Sequence, residues 1–288
     1  MSKIERLKSV NKAISVLNCF NLNNLELTTS AISRMVGLHR ATVHRLLETL
    51  SNAGYVERSE TTGKYSVGPT LYSMGMLYLN AKDTLKVSEP VVKALNDMTG
   101  EVVSVGILHQ DYYINIMREE SKHTVRLSYS VGSRFPAHAT ATGKSLLSEL
   151  TEDEIDRIYP KEELESLTSK TIATKTQLKK ELELIKKTGV AINKEELREG
   201  VWAVSSIMRD STDMCVGSLG IAVPTIRIDD TKLECFATLV IMGAKFISYR
   251  LGNIHLVEPV TKMEDIYLWW EQNKTTNNQI RSSAMNKH

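Results

Sequence analysis

The chain has 288 residues, longer than one ordinary compact domain and sized for two. Apolar residues make up 42% and charged residues 24%, which excludes disorder, collagen-like repeats and coiled coil as the dominant architecture. The net charge of +2 is uneven: residues 1–80 hold 9 Lys and Arg against 5 Asp and Glu, and residues 81–288 hold 27 against 29. A small basic module therefore precedes a larger, mildly acidic one. Met1 to Val10 alternates charged and apolar residues without the apolar stretch of a secretory signal, and no run is long enough to span a membrane. The expectation is a soluble, cytoplasmic protein. Cys19, Cys215 and Cys235 form no Cys-x-x-Cys pair and lie near no His pair at metal spacing, so they read as small core hydrophobes, with no metal and no cofactor expected.

From Ser9 to Phe20 the apolar residues Val10, Ala13, Ile14, Leu17 and Phe20 fall at helical spacing, leaving Asn11, Lys12 and Ser15 outward. Thr28 and Thr29 then offer an N-cap to a second helix with Ala31, Ile32 and Met35 as its stripe, ended by a sharp turn at Gly37. A third helix begins near Arg40, with Val43, Leu46, Leu47 and Leu50 as its buried face and Ala41, His44, Arg45 and Glu48 opposite. Two short helices joined by a glycine turn make a helix-turn-helix whose second helix fits a major groove. That role needs cations near phosphates and donors near base edges, and the candidates are Arg34, Arg40, Ala41, Thr42, His44 and Arg45. Tyr55 to Ser59 and Lys64 to Val67 are short strand runs around the turn Glu60-Thr61-Thr62-Gly63. They predict a wing that sets Lys64 near a phosphate. Spacing alone also admits a structural module whose basic residues are a solvated face.

The run SVNKAISVL from Ser9, then LTTSAISRMVGLHRATVHRLLETLSNAGYVERSETTGKYSVGPTLYSMG, resembles the winged helix-turn-helix of the IclR family of bacterial transcriptional regulators. The likeness continues through GSRFPAHATATGKSLLSEL at Gly132 to Leu150 and KEELREGVWAVSSIMRD at Lys194 to Asp210, and covers about residues 6–252.

Leu71, Met74, Leu77, Tyr78 and Leu79 give a helical pattern after Pro69. It reads as a packing helix or, by the resemblance, as the lever between domains and a dimer contact. A helix over Val87 to Met98 and three strands at Val102–Leu108, Tyr112–Arg118 and Thr124–Ser130 follow, the first two joined by the tight turn Gln110-Asp111. Helices are predicted at Ala139–Leu150, Glu152–Tyr159, Gln177–Thr188 and Asp229–Tyr249, and strands at Val201–Arg209 and Cys215–Val223. The pattern is α+β with an antiparallel sheet, and the resemblance implies a GAF-like effector-binding fold. The expected division is a winged helix-turn-helix over 6–68, a linker helix over 69–86, an effector and oligomerisation domain over 87–253 and a partly disordered extension over 254–288. In that extension Trp269 and Trp270 suggest a packed end, and Gln272 to His288 a polar tail.

Two enzyme-like strings fail on inspection. Thr142-Gly143-Lys144-Ser145 ends like a phosphate loop but has His138 where the first glycine belongs, and Val216-Gly217-Ser218-Leu219-Gly220 lacks the first glycine of a nucleophile elbow. With no catalytic roles to assign, no enzymatic activity is expected. His138 to Ser145 instead reads either as small residues opening a helix whose free N–H groups attract an anion, or as small residues that let a helix lie close to the sheet. The resemblance implies an effector pocket lined by this loop, by the segment before the Gly-Val and by two late strands. That points to Ala141, Thr142, Asn193, Val201, Ala203, Gly220 and Ala222. Ala203, Gly220 and Ala222 bring none of the hydroxyl, thiol or carboxylate groups of the family's acid-binding members. The expected pocket is roomy and weakly polar, with Asn193, Thr142 and loop N–H groups as its donors, and suits an effector larger than a two-carbon acid.

The reading is a ligand-responsive regulator, a repressor before an activator, that binds double-stranded DNA at a near-palindromic operator as a homodimer or homotetramer and answers to a small metabolite of the operon it controls. The alternative is a small-molecule sensor or enzyme whose winged helix mediates protein contacts.

Overall fold

The computed structural model describes residues 7–21, 23–80, 83–124, 127 and 129–273. The chain divides between residues 82 and 83 into two compact units.

In the first unit, helices α1 (Lys8–Leu17), α2 (Thr29–Val36) and α3 (Arg40–Asn52) precede strands β1 (Val56–Arg58) and β2 (Tyr65–Val67), and α4 (Pro69–Asn80) ends it. The Thr28 hydroxyl accepts from Ala31 N–H and starts α2; Gly37, at φ 65°, ends it in the left-handed region where glycine is unstrained. Val16, Ile32, Val43, Leu47 and Val56 form the small core, as the spacing predicts for α2 and α3. The first helix differs from its reading. Val10 and Ile14 are 49% and 50% exposed, and Val16 and Cys19 are buried in their place. A 3.6-residue period identifies an apolar stripe but cannot say which neighbour covers it. The wing forms as expected, with Val56 opposite Val67. Leu27 and Tyr65 also exchange backbone hydrogen bonds of 2.9 and 2.8 Å, a third rung that ties the wing to the start of α2.

The second unit opens with α5 (Asp83–Thr99). This helix begins four residues before the expected Val87, its buried Thr84 and Ser88 having hidden the periodicity. Residues 81 and 82 of the expected linker helix lie outside the described residues. The six-stranded antiparallel sheet has the order β5-β4-β3-β8-β7-β6, built from β3 (Val102–His109), β4 (Tyr112–Glu119), β5 (Arg134–Pro136), β6 (Ala191–Lys194), β7 (Val201–Arg209) and β8 (Cys215–Pro224). Gln110, at φ 57°, makes the tight turn between β3 and β4. Of the strand expected at Thr124–Ser130, the described residues Thr124, Leu127, Tyr129 and Ser130 are irregular, and Val125, Arg126 and Ser128 lie outside the described residues. The Leu127 carbonyl accepts from the Arg118 side chain instead of a ladder partner, and β5 pairs with β4 after the Gly132 turn.

Alternation sorts the sheet's two faces. Val103, Val105, Val204, Leu219 and Ile221 bury against α5 and α9 (Asp230–Arg250). Ser104, Gly106, Ala203, Gly220 and Ala222 occupy the alternate positions and so point to the other face. That face is covered by α6 (Ala141–Leu147), α7 (Glu152–Ile158) and α8 (Lys175–Thr188), around Leu147, Ile155, Leu178 and Ile185. The expected helix Ala139–Leu150 is shorter because Thr140 is extended and its hydroxyl caps Gly143 N–H at 3.0 Å; a single 3-10 turn, Ala137–Ala139, precedes it. Residues 263–273 form a last helix, α10. Its Ile266 is fully buried, and Trp269 and Trp270 pack on the α5/α9 core. Gln272 and Asn273, expected in a disordered tail, belong to this helix; residues 274–288 lie outside the described residues.

Two features fix α6 in this layer. A Cβ on Gly143 would stand 2.3 Å from the Ala137 Cα and carbonyl oxygen, so glycine is there for close approach of α6 to the 3-10 turn before it. Lys144 is 1% exposed, and its ammonium donates to Glu196 Oε1 at 2.7 Å, the Ile192 carbonyl at 2.8 Å and Glu181 Oε1 at 3.0 Å. All three of its protons are used, which is the condition for burying a charge. Burial pushes the Glu196 carboxyl up even with Lys144 beside it.

Gly143→Ala is expected to lower unfolding free energy by about 3 kcal/mol, because the obstructing atoms are backbone. Gly75→Ala, inside α4 with open space around its Cβ, is expected to raise it by about 0.5–1 kcal/mol; urea denaturation of both variants checks the pair. Lys144→Met leaves two carboxylates facing each other and is expected to cost about 3–5 kcal/mol. Adding Glu196→Gln to that variant should restore part of the loss in the same measurement.

Candidate functional site

The first unit presents a cationic face. Arg34 at the end of α2, and Arg40, Ala41, His44 and Arg45 on α3, are exposed, with Thr42 half-buried. Val43 and Leu47 turn inward and fix which way the others point. Arg34, Arg40 and Arg45 have no carboxylate partner among the described residues, whereas His44 Nδ1 lies 3.5 Å from Glu48 Oε2. Lys64, on the wing, lies 3.8 Å from Glu26 Oε2 with both side chains about half exposed; so open a pair holds Lys64 only weakly. The Ser33 hydroxyl donates to the Leu38 carbonyl at 2.6 Å and secures the turn between the helices. Arg58, exposed on β1 with its guanidinium over the Tyr65 ring, adds a wing cation that the sequence reading passed over. Its signal was a basic residue on an alternating strand.

The second unit holds a cavity between α6 and the small-residue face of the sheet. All seven predicted effector residues line it: Ala141 and Thr142 from α6, Asn193 from β6, Val201 and Ala203 from β7, Gly220 and Ala222 from β8. Register brings them together, since Asn193 pairs with Ala203, Ala203 with Ala222, and Ser104 with Gly220. The cavity measures about 60 Å³, room for about four waters. A Cβ on Gly106 would meet Thr142 Cγ2 at 2.8 Å, and one on Gly220 would meet Thr142 Oγ1 at 3.0 Å. The helix start therefore lies as near the strands as glycine permits.

Two expectations about this cavity change. Asn193 lines it, but its amide donates to the Ala139 carbonyl at 2.7 Å and its carbonyl accepts from Glu196 N–H at 3.2 Å. Its polar atoms hold the walls together and are not free donors. The cavity is also less apolar than Ala203, Gly220 and Ala222 suggest, because Arg118 on β4 and Arg198 after β6 line it, with Tyr129. Arg118 and Arg198 both lie over the Tyr129 ring, at 5.7 and 5.2 Å from its centroid. Burial pushes the Tyr129 and Tyr113 phenols up, with Arg198 and Arg118 opposing at Tyr129 and Arg118 at Tyr113. Thr142 has no hydrogen-bond partner for its hydroxyl among the described residues. Lys144 is spent on the carboxylates of Glu181 and Glu196.

No group of His, Cys, Asp and Glu able to hold a metal occurs among the described residues, and none of their helices is long and apolar enough to cross a membrane.

Two family models match the chain. Residues 9–60 match the IclR helix-turn-helix domain, and residues 76–249 match the C-terminal domain of bacterial transcriptional regulator IclR. The HTH-type transcriptional regulator XynR of Escherichia coli is 30% identical over 247 residues, which is 85% of this chain and 98% of the relative. The transcriptional repressor IclR of the same organism is 25% identical over 251 residues, 86% of this chain and 92% of the relative. In fold, the chain is similar to an IclR homolog from Microbacterium hydrocarbonoxydans, complexed with 4-hydroxybenzoate, at TM-score 0.72 and 20% identity; the match covers 85% of this chain and 99% of the other. An unpaired cationic helix-turn-helix, a sheet-bound cavity in a second unit and matches to both family models lead to one conclusion: the chain belongs to the IclR family of bacterial transcriptional regulators and is a DNA-binding transcriptional regulator.

Proposed function

We propose that this protein represses a metabolic operon by binding a near-palindromic operator, and that a small metabolite entering the second unit's cavity changes that binding. The observation that carries the DNA half is the set of arginines, Arg34, Arg40 and Arg45, exposed and without carboxylate partners around a helix-turn-helix. A duplex supplies the phosphates that such cations lack, and the fork of Arg45 suits a guanine edge or a phosphate. A module for protein contacts would have no need of three unbalanced cations on the groove-facing helices. Ala41 and Thr42 are small enough to let α3 approach base edges, and His44 and Lys64 stand at the flanks. Repression follows the relatives' name, and an operator placed across a promoter is its simplest mechanism. The protein acts by this reading in the cytoplasm, on the nucleoid, and catalyses no reaction.

Assembly in pairs is supported by the start of α1, where Leu7 at its N-cap and Val10 and Ile14 within it are exposed apolar residues at helical spacing. A second copy would cover it, and paired recognition helices read two half-sites about one helical turn apart. A dimer or a tetramer satisfies this requirement equally. For the ligand half, a guest moves the DNA equilibrium only if it binds the two arrangements of the protein unequally. Ala141, Thr142, Val201, Ala203, Gly220 and Ala222 are the walls a guest would touch, and Asn193 ties the 3-10 turn before α6 to β6. The 4-hydroxybenzoate complex of the Microbacterium relative supports a small organic guest for this fold.

Arg45→Ala is expected to weaken operator binding by about tenfold or more, with the circular dichroism spectrum unchanged. If Arg45 meets a phosphate, the slope of log affinity against log salt also falls by about 1; unchanged affinity across the salt series removes Arg45 from the contacts. Val10→Asp with Ile14→Asp is expected to halve the mass seen by sedimentation velocity, and an unaltered mass would assign assembly to another surface.

A further inference from the structure

A second, larger cleft lies against the 3-10 turn that precedes α6. It measures about 320 Å³, the size of a small-molecule site, and shares no lining residue with the cavity between α6 and the sheet. Tyr112 and Phe135 from β4 and β5, and Tyr159 and Leu164 from the end of α7 and beyond, give it aromatic and apolar walls. Its polar groups mostly accept. His138, only 4% exposed, lines it with its ring edge-on to Tyr159. The ring's Nε2–H donates to the Glu165 carbonyl at 2.8 Å, which in the neutral imidazole leaves Nδ1 as a lone-pair acceptor. Nδ1 has no partner among the described residues. Asp111, Glu163 and Glu165 add three carboxylates to the lining, and none of them is paired among the described residues. Burial, and after it the Asp111 charge, pushes the Tyr159 phenol up, so it stays a donor and gives a 3.3 Å hydrogen bond to the Asp111 carbonyl. Arg134 is the one guanidinium in the lining, and it is held at one wall, over the Tyr112 ring and donating to Tyr112 Oη at 3.2 Å.

We propose that this cleft is a second small-molecule site and that its ligand is an organic cation, a primary ammonium carried on an aromatic or apolar body. The ammonium brings three N–H donors to a place whose free groups are the His138 Nδ1 lone pair and carboxylates. The body lies against Tyr112, Phe135 and Tyr159, whose ring faces also attract a cation. An anion would meet three carboxylates and one guanidinium, and a neutral guest would leave the carboxylates unanswered. A metal ion does not fit, because these acidic residues and His138 do not converge into a metal-holding group. Occupancy bears on the other cavity through one turn. Ala137 N–H donates to the Asp111 carbonyl at 2.8 Å, and the Ala139 carbonyl accepts from the Asn193 amide at 2.7 Å. The turn with His138 at its middle is thus pinned between a residue of the cleft and a residue of the cavity. A guest on His138 and Asp111 acts on that shared wall without entering the cavity.

The test titrates the full chain with 2-phenylethylamine and tyramine, each beside the alcohol that carries a hydroxyl in place of the amine, by calorimetry and thermal shift. Both amines are expected to bind about tenfold or more tighter than their alcohols, and less tightly as salt rises. In a variant with Asp111→Asn, Glu163→Gln and Glu165→Gln, all at exposed positions, amine affinity should fall about tenfold or more with the unliganded melting temperature unchanged. Glu163→Gln alone, which leaves the Asp111 turn and the His138 contact in place, should lower it about threefold. No amine binding at millimolar concentration, equal affinity for amines and alcohols, or amine binding that both variants keep in full overturns the proposal.

Discussion

The Lys144 ammonium, buried with all three protons on oxygens of β6, α8 and the β6–β7 loop, is the contact on which the second unit's chemistry depends. Through it α6 is tied to the neighbouring strand and to the Glu196 carboxylate, while Asn193 and Thr171 hold the Glu196 backbone, two residues before Arg198 at the cavity. A buried ion pair of this kind is weak evidence for extra stability, since apolar residues of like volume serve as well. Its use here is positional. It leaves no alternative register for a helix whose first turn must pass within contact distance of Gly106 and Gly220.

Small residues supply the other half of that arrangement. On the face toward α5 and α9 the sheet carries valine, leucine and isoleucine, and the core there is dense. On the face toward α6 the same strands carry Ser104, Gly106, Ala203, Gly220 and Ala222, and the volume they leave is the cavity. That space arises from strand alternation, with most of the large residues of β3, β7 and β8 on the α5 and α9 side. The first unit divides its labour likewise: Val43 and Leu47 anchor α3, and Arg40, Ala41 and Arg45 stay exposed.

Much of this was legible in the sequence, and the failures have physical causes. The second and third helices, their glycine turn and the wing were readable because each is specified within a few residues by period, cap and turn. The cavity's small-residue walls came from likeness to a family, and strand register then brought those residues to one place. Arg118 and Arg198 could not be read, since nothing local says that residues 80 apart in the chain flank one tyrosine ring. Val10 and Ile14 were read inward because an exposed apolar stripe has the same spacing as one facing a core. Thr124 to Ser130 alternates like a strand, but the carbonyl of Leu127 is taken by a side chain. α10 escaped notice because its polar outer face resembles a tail.

The most direct test of the account is to sequence the genomic fragments retained by the full-length protein at moderate salt against nonspecific competitor, beside a variant with Arg34, Arg40 and Arg45 all changed to Ala. The account predicts a few discrete fragments that share an inverted repeat and are lost with the variant. Retention of no particular fragment, or of the same fragments by the variant, would contradict it.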